Sequence, residues 1–204
     1  NKYSFRIFFP TLNELFNNDD WKIRVGALNF MSHIATRMPL QVSSMLPILI
    51  PSVTECIIST KKEVKIAGID AMLKSCSTIN NEDIAPRVTK LVKVIETPDD
   101  ATEALDALLE TVFVQTVDAS ALALIAPLLN KALRSRSSVM KRKASRVIDN
   151  FSRLVRNPYD VAPFRNVLLP ALEKVIDEIS DMEVCEVAQN ARLSLLKAMG
   201  EAKD

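Results

Sequence analysis

Glycine is nearly missing from this sequence, with three in 204 residues. Gly26, Gly68 and Gly200 stand too far apart to form the glycine-rich loop that cradles a nucleotide's phosphates, so no nucleotide site is legible. Aromatic residues make up only 5% of a chain that is 48% apolar. That balance favours helices packed through Leu, Ile, Val and Ala over a sheet of β-branched and aromatic strands. The one histidine, His33, has no partner in the sequence and reads as surface or core filler rather than as a catalyst. Cys56, Cys76 and Cys185 are odd in number, far apart, and lack both a CxxC pair and nearby histidines. They support neither a zinc site nor a disulfide framework, and a reducing cytosol fits. Nucleophile chemistry is disfavoured as well, since Cys56 and Cys76 fall on expected helices, Cys56 at a core offset. No apolar run approaches the ~18 residues of a membrane span, and no signal peptide opens the chain. A formal charge of +1 gives no global pull toward nucleic acid or membrane, so any attraction must be local. The chain opens in mid-pattern at Asn1, and is expected to be a segment of a longer one.

What is present is a repeat. Pro10, Pro51, Pro86, Pro127 and Pro170 lie 41, 35, 41 and 43 residues apart. The two positions before each proline are apolar, from Phe8-Phe9 to Leu168-Leu169. The second position after it is Leu12, Val53, Val88, Leu129 or Leu172, and the fifth and sixth are again largely apolar. Proline suits a first helical turn or a kink, because its missing N–H does least harm there. A small residue follows at Ala27, Gly68, Ala104, Ala144 and Ala188, read as the point where a second helix approaches the first closely. The second helices then step by three and four residues, as in Ile23, Ala27, Phe30 and Ile34, or Val184, Ala188, Ala191 and Leu195. The stretch Ile125–Phe151 is the clearest copy, a proline-initiated segment, a polar turn, and a helix apolar at Met140, Ala144, Val147, Ile148 and Phe151.

Two helices every ~40 residues is the signature of HEAT or armadillo repeats, in which no pair can bury its face alone. The expected fold is all-α, a right-handed solenoid of about five HEAT-type pairs over residues 3–36, 40–78, 82–113, 118–156 and 159–199. It is read as one array, with turns but no domain boundary at Pro98-Asp99-Asp100 and at Asn157-Pro158. The first helices are expected to be long and bent, or split in two. Asp19-Asp20 and Asp99-Asp100 are placed at helix starts as caps and dipole partners. Trp21 is expected to pack over a repeat junction.

Charge is sorted along the chain. Glu96–Asp118 holds seven acidic residues and no basic one. Lys131–Arg156 holds nine basic residues against Asp149 alone, and Glu173–Glu186 has six acids against one lysine. Successive repeats are neighbours, so the sorting becomes a positive band between two negative ones. Such runs are commonly solvated faces that attract each other across repeats. Alternatively, the positive band attracts phosphate with a strong salt dependence. Phe151, the aromatic within it, reads as buried, which argues against stacking of single-stranded bases and leaves backbone contact with folded RNA.

With the repeat and the basic band in hand, the sequence resembles the HEAT-repeat region of the translation elongation factor 3 family, fungal-type ribosome-dependent ATPases of the ABC-F kind. The resemblance runs from about Trp21 to Leu196. It is most specific at Thr60-Lys61-Lys62-Glu63-Val64-Lys65, at Lys141-Arg142-Lys143 followed by Ile148-Asp149-Asn150, and at Ala162-Pro163-Phe164 followed by Leu168-Leu169-Pro170. It implies a cytoplasmic, non-catalytic module that docks on the ribosome through rRNA and ribosomal proteins. No small-molecule substrate and no cofactor is expected in this segment, and a monomer is. ATP with magnesium would act in cassettes elsewhere in the parent chain. Charge and resemblance together mark Lys61, Lys62, Lys65, Arg134, Arg136, Lys141, Arg142, Lys143 and Arg146 as ribosome-facing. Asp181-Met182 stands where the family tends to Asp-Pro, and Cys185 where an arginine is usual. Glu103-Ala104-Leu105-Asp106 and Ser120–Ile125 also bear some likeness to the large co-activator of the amino-acid-starvation kinase, which implies the alternative of an interaction scaffold without cassettes.

Overall fold

Steady spacing of Leu, Ile, Val and Ala with few glycines leaves these segments little alternative to helix. The computed structural model describes residues 4–96, 101–109 and 115–201, and its regular elements are helices, with no strand among the described residues. No helix among the described residues is long and apolar enough to cross a membrane.

Packing divides the chain into two compact units, Asn1–Asn80 with Ile84–Thr97, and Asn81–Asp83 with Pro98–Asp204. The first unit contains α1 (Ser4–Phe16), α2 (Trp21–Arg37), the short α3 (Pro39–Ser43), α4 (Leu46–Ile57), α5 (Lys62–Cys76), a 3-10 turn at Ala85–Arg87, and α6 (Val88–Glu96). The second contains α7 (Ala101–Leu109), α8 (Ala119–Leu133), α9 (Ser138–Ser152), α10 (Pro158–Val161), a 3-10 turn at Ala162–Phe164, α11 (Arg165–Glu178) and α12 (Met182–Ala198). The helices of the repeat expected over 82–113 therefore fall in different units. The turn expected at Pro98-Asp99-Asp100 lies outside the described residues. In the first unit α2 packs on α5, and in the second α9 lies between α7 and α12. Second helices thus stack on second helices, as a repeat array requires.

The proline template holds, with one correction. Pro10, Pro51, Pro127 and Pro170 lie inside α1, α4, α8 and α11 rather than at their starts, and Pro86 lies in the 3-10 turn. α8 begins at Ala119, well upstream of Pro127. Each proline faces outward or half-outward, where a missing N–H costs least. The expected splitting of first helices appears where α3 precedes α4 and α10 precedes α11. Leu12, Val53, Val88, Leu129 and Leu172, two positions after each proline, are all buried. Each stabilises its unit by roughly 1.5–3 kcal/mol. The small residues Ala27, Gly68, Ala104, Ala144 and Ala188 are buried too. At Gly68 a Cβ would stand 3.2 Å from Ile57 Cγ1 and 3.3 Å from the Ile57 backbone N, so α4 and α5 touch there almost backbone to backbone.

The reading of α2 needs correcting. Its buried stripe is Ala27, Leu28, Met31 and Ala35, whereas Ile23 and Phe30 are over 40% exposed. α2 is apolar on two sides; one side packs on α5, and on the other Phe30 meets the Phe8 ring, edge-on at 5.8 Å. The stripe Val184, Ala188, Ala191 and Leu195 of α12 is buried as expected.

Polar residues close the helix ends. Asp20, Asp118, Ser137, Asn157 and Asp181 accept backbone N–H groups at the starts of α2, α8, α9, α10 and α12. α12 ends in a left-handed turn at Gly200, φ 72°, where the N–H groups of Gly200 and Glu201 reach back to Lys197 and Leu196. Glu201 then accepts two hydrogen bonds from Arg165, both at 3.0 Å.

Candidate nucleic-acid interface

α9 carries the centre of the basic stretch, and its placement follows from its apolar face. Ala144, Ser145, Val147, Ile148, Phe151 and Ser152 turn into the core of the second unit. That leaves Lys141, Arg142, Lys143 and Arg146 around the sides and the outer face. Phe151 is 2% exposed, so the aromatic inside the band offers no stacking platform.

Four of the nine basic residues are ion-paired. Arg142 Nη1 donates to Glu183 Oε1 at 2.8 Å, and Arg146 Nη2 reaches the same oxygen at 3.5 Å. Lys143 pairs with Asp106 on the other flank. Arg153 holds Asp149, one turn back on α9, at 3.0 Å. One acid from each flanking band, Asp106 on α7 and Glu183 on α12, therefore holds the basic band from either side. The triplet Lys141-Arg142-Lys143, marked by charge and resemblance as ribosome-facing, has two of its three heads turned to neighbouring repeats. The Arg142–Glu183, Arg146–Glu183 and Lys143–Asp106 partners are 41, 37 and 37 residues apart. That is one repeat length, and searching for opposite charges at that separation would have found them. Each pair is partly exposed and contributes about 0–1 kcal/mol.

The remaining basic residues differ. Lys131, Arg134 and Arg136 are exposed and Lys141 half-buried, and none has a carboxylate partner among the described residues. Arg134 Nε donates to Asn130 Oδ1 at 3.0 Å, which lays its side chain along α8 without neutralising it. These four surround the turn joining α8 to α9. Arg156, also exposed and without a carboxylate partner among the described residues, sits past the far end of α9. In the first unit, Lys61 and Lys62 are exposed at the start of α5, and Lys65 is half-buried one turn on.

Elsewhere, two of the three cysteines are buried. Burial holds the Cys76 thiol up at about 12 and also raises that of Cys56, which lies against Arg24 and the Phe16 carbonyl. His33 is exposed, and Trp21, the first residue of α2, is half-buried with Lys22 Nζ 5.9 Å from its ring centre. Gly26 and Gly68 lie within helices and Gly200 at a helix end, so these residues do not fit an ATP phosphate site. An open groove of about 510 Å³ lies between α9 and α12, lined by residues such as Arg153, Asn190 and Lys197, with no histidine or cysteine.

Comparison with known proteins gives a consistent result. Residues 100–204 match the family described as Elongation factor 3/GNC1 HEAT repeat, and residues 1–72 match the EF3 N-terminal HEAT repeat. Elongation factor 3 of Phytophthora infestans is 40% identical over 180 residues, which covers 88% of this chain and 17% of that protein. Elongation factor 3 of Candida albicans is 36% identical over 93% of the chain and 18% of its own length. Protein ILITYHIA of Arabidopsis thaliana is 35% identical over 98% of the chain and 8% of its own length. The chain thus spans less than a fifth of each of these three relatives.

Proposed function

This chain belongs to the elongation factor 3/GNC1 HEAT-repeat family, and we propose that it is a non-catalytic ribosome-docking module of an elongation factor 3-like translation ATPase. Kinship to elongation factors 3 over most of the chain is the observation that carries the reading. The uncompensated cations of the basic stretch support it, since RNA phosphates are the abundant anions of a ribosome. On this reading the work is mechanical. Stacked helix pairs hold a charged surface in fixed register, while ATP and magnesium bind in cassettes outside this chain. The factor would act as a monomer in the cytoplasm, contacting rRNA and ribosomal proteins through some of Lys61, Lys62, Lys65 and the basic residues around α9.

The test is co-sedimentation of the chain with purified ribosomes. Saturable binding that needs no added nucleotide supports the reading, and absence of binding at low salt contradicts it.

A second reading draws on the GNC1 half of the family description and on the match to ILITYHIA. In it the chain is a protein-interaction scaffold within a longer HEAT array. The sequence following Asp204 in the parent separates the two: a phosphate-binding loop favours the first, and further helix pairs the second.

A further inference from the structure

We propose that RNA backbone phosphates are met at the turn between α8 and α9, by Lys131, Arg134, Arg136 and Lys141, while Arg142 and Lys143 lock the repeats together. The proposal rests on the ribosome-docking reading and divides its basic stretch into two sets with different work.

The division follows from charge and place. Arg142, Arg146 and Lys143 already have carboxylates at Glu183 and Asp106, so an incoming phosphate would have to displace a bonded partner. The four turn residues have none among the described residues. Two of them have a local reason to be cationic, because Lys131 is in the last turn of α8 and Arg134 is its cap, where the helix dipole favours positive charge. Arg136 and Lys141 have no such reason. They flank the Ser137 cap at the start of α9, where the dipole disfavours a cation, and the first turn of α9 holds no acid. The other second helices each have an acid at the cap or in the first turn: Asp20 before α2, Glu63 in α5 after Lys61 and Lys62, Glu103 in α7, and Asp181 with Glu183 at α12. Positive charge kept where folding does not favour it fits service to an external anion.

The partner has the chemistry of a phosphodiester backbone rather than of an exposed base. Phe151 is buried, and the turn offers long cationic side chains and serine hydroxyls at Ser135, Ser137 and Ser138. Such a surface measures phosphate spacing and carries little sequence preference.

Two variants of the chain separate the sets. In the turn variant, Arg134, Arg136 and Lys141 become Gln; in the lock variant, Arg142→Gln is combined with Lys143→Gln. Binding of each to a labelled 20-base-pair RNA duplex and to purified ribosomes is measured across a salt series, alongside thermal melting. For the turn variant the slope of log K against log salt should fall by roughly two to three, with little net change of melting temperature, because the unfavourable dipole contacts of Arg136 and Lys141 go together with the favourable one of Arg134. The lock variant should keep the wild-type slope and melt lower. A turn variant with the wild-type slope, or a lock variant that alone loses slope, overturns the assignment but leaves docking standing if ribosomes still bind. Failure of the unaltered chain to bind ribosomes overturns the docking reading itself, and the assignment with it.

Discussion

Arg142 and Glu183 join α9 to α12 through a 2.8 Å contact, the first from the basic run that the sequence offers as a phosphate-binding surface and the second from the acidic run after it. Lys143 does the same toward Asp106 on α7. The basic band is therefore partly an internal fastening. Replacing Glu183 and Asp106 with Gln and Asn should lower the thermal midpoint of the chain by a few degrees, since each partly exposed pair is worth at most ~1 kcal/mol. The loss should shrink in high salt, which screens the pairs already. Circular dichroism melts at low and high salt check both statements.

Asp70 gives the pH dependence. Burial alone would raise its carboxyl, but hydrogen bonds from Lys74 at 2.9 Å and Ser32 at 2.7 Å outweigh that and hold it below the usual value. A group lowered on folding contributes stability that is fully present above its unfolded pKa and is lost as pH falls through its folded one. Asp70→Asn keeps an acceptor for Ser32 and removes the charge. The variant should be less stable near pH 7, by no more than ~1 kcal/mol because the side chain is half exposed to screening solvent. It should converge with the parent in strong acid. Denaturant titrations of both proteins from pH 7 down to about 2 measure the difference.

The two internal glycines should answer oppositely to alanine. Gly26, in α2, has nothing within 4 Å of an added Cβ, so Gly26→Ala should stabilise by about 0.5–1 kcal/mol through helix propensity. Gly68→Ala would press against Ile57 side chain and backbone at 3.2 and 3.3 Å, so that gain should vanish or reverse. Urea midpoints of the two variants decide it.

Thiol reactivity reports the packing directly. Cys56 and Cys76 are buried, with the Cys76 thiol at about 12, and Cys185 is half-buried. A disulfide reagent at pH 8 should therefore modify one thiol in the native chain and the other two only on unfolding. Three fast thiols would contradict the helix packing around α4 and α5.

Much of this was legible from the chain. The proline offsets found every first helix, because a residue without an N–H is tolerated only on certain faces, and those faces recur. The small residues found the close approaches for a similar reason, since Gly68 leaves no space for a side chain. The reading failed where two choices were chemically equal. α2 has apolar residues on two sides, and nothing within it says whether Ile23 and Phe30 or Leu28 and Met31 face α5. The basic stretch is a different case. Charge shows where cations are, while which heads are engaged depends on carboxylates one repeat away, visible only once α7, α9 and α12 stand side by side.

The most direct measurement is the affinity of the unaltered chain for purified ribosomes as salt is raised from about 50 to 300 mM. With four uncompensated cations at the α8–α9 turn, log K should fall linearly with log salt at a slope near −3. Binding that is absent at low salt, or that does not weaken as salt rises, would contradict docking through phosphate contact.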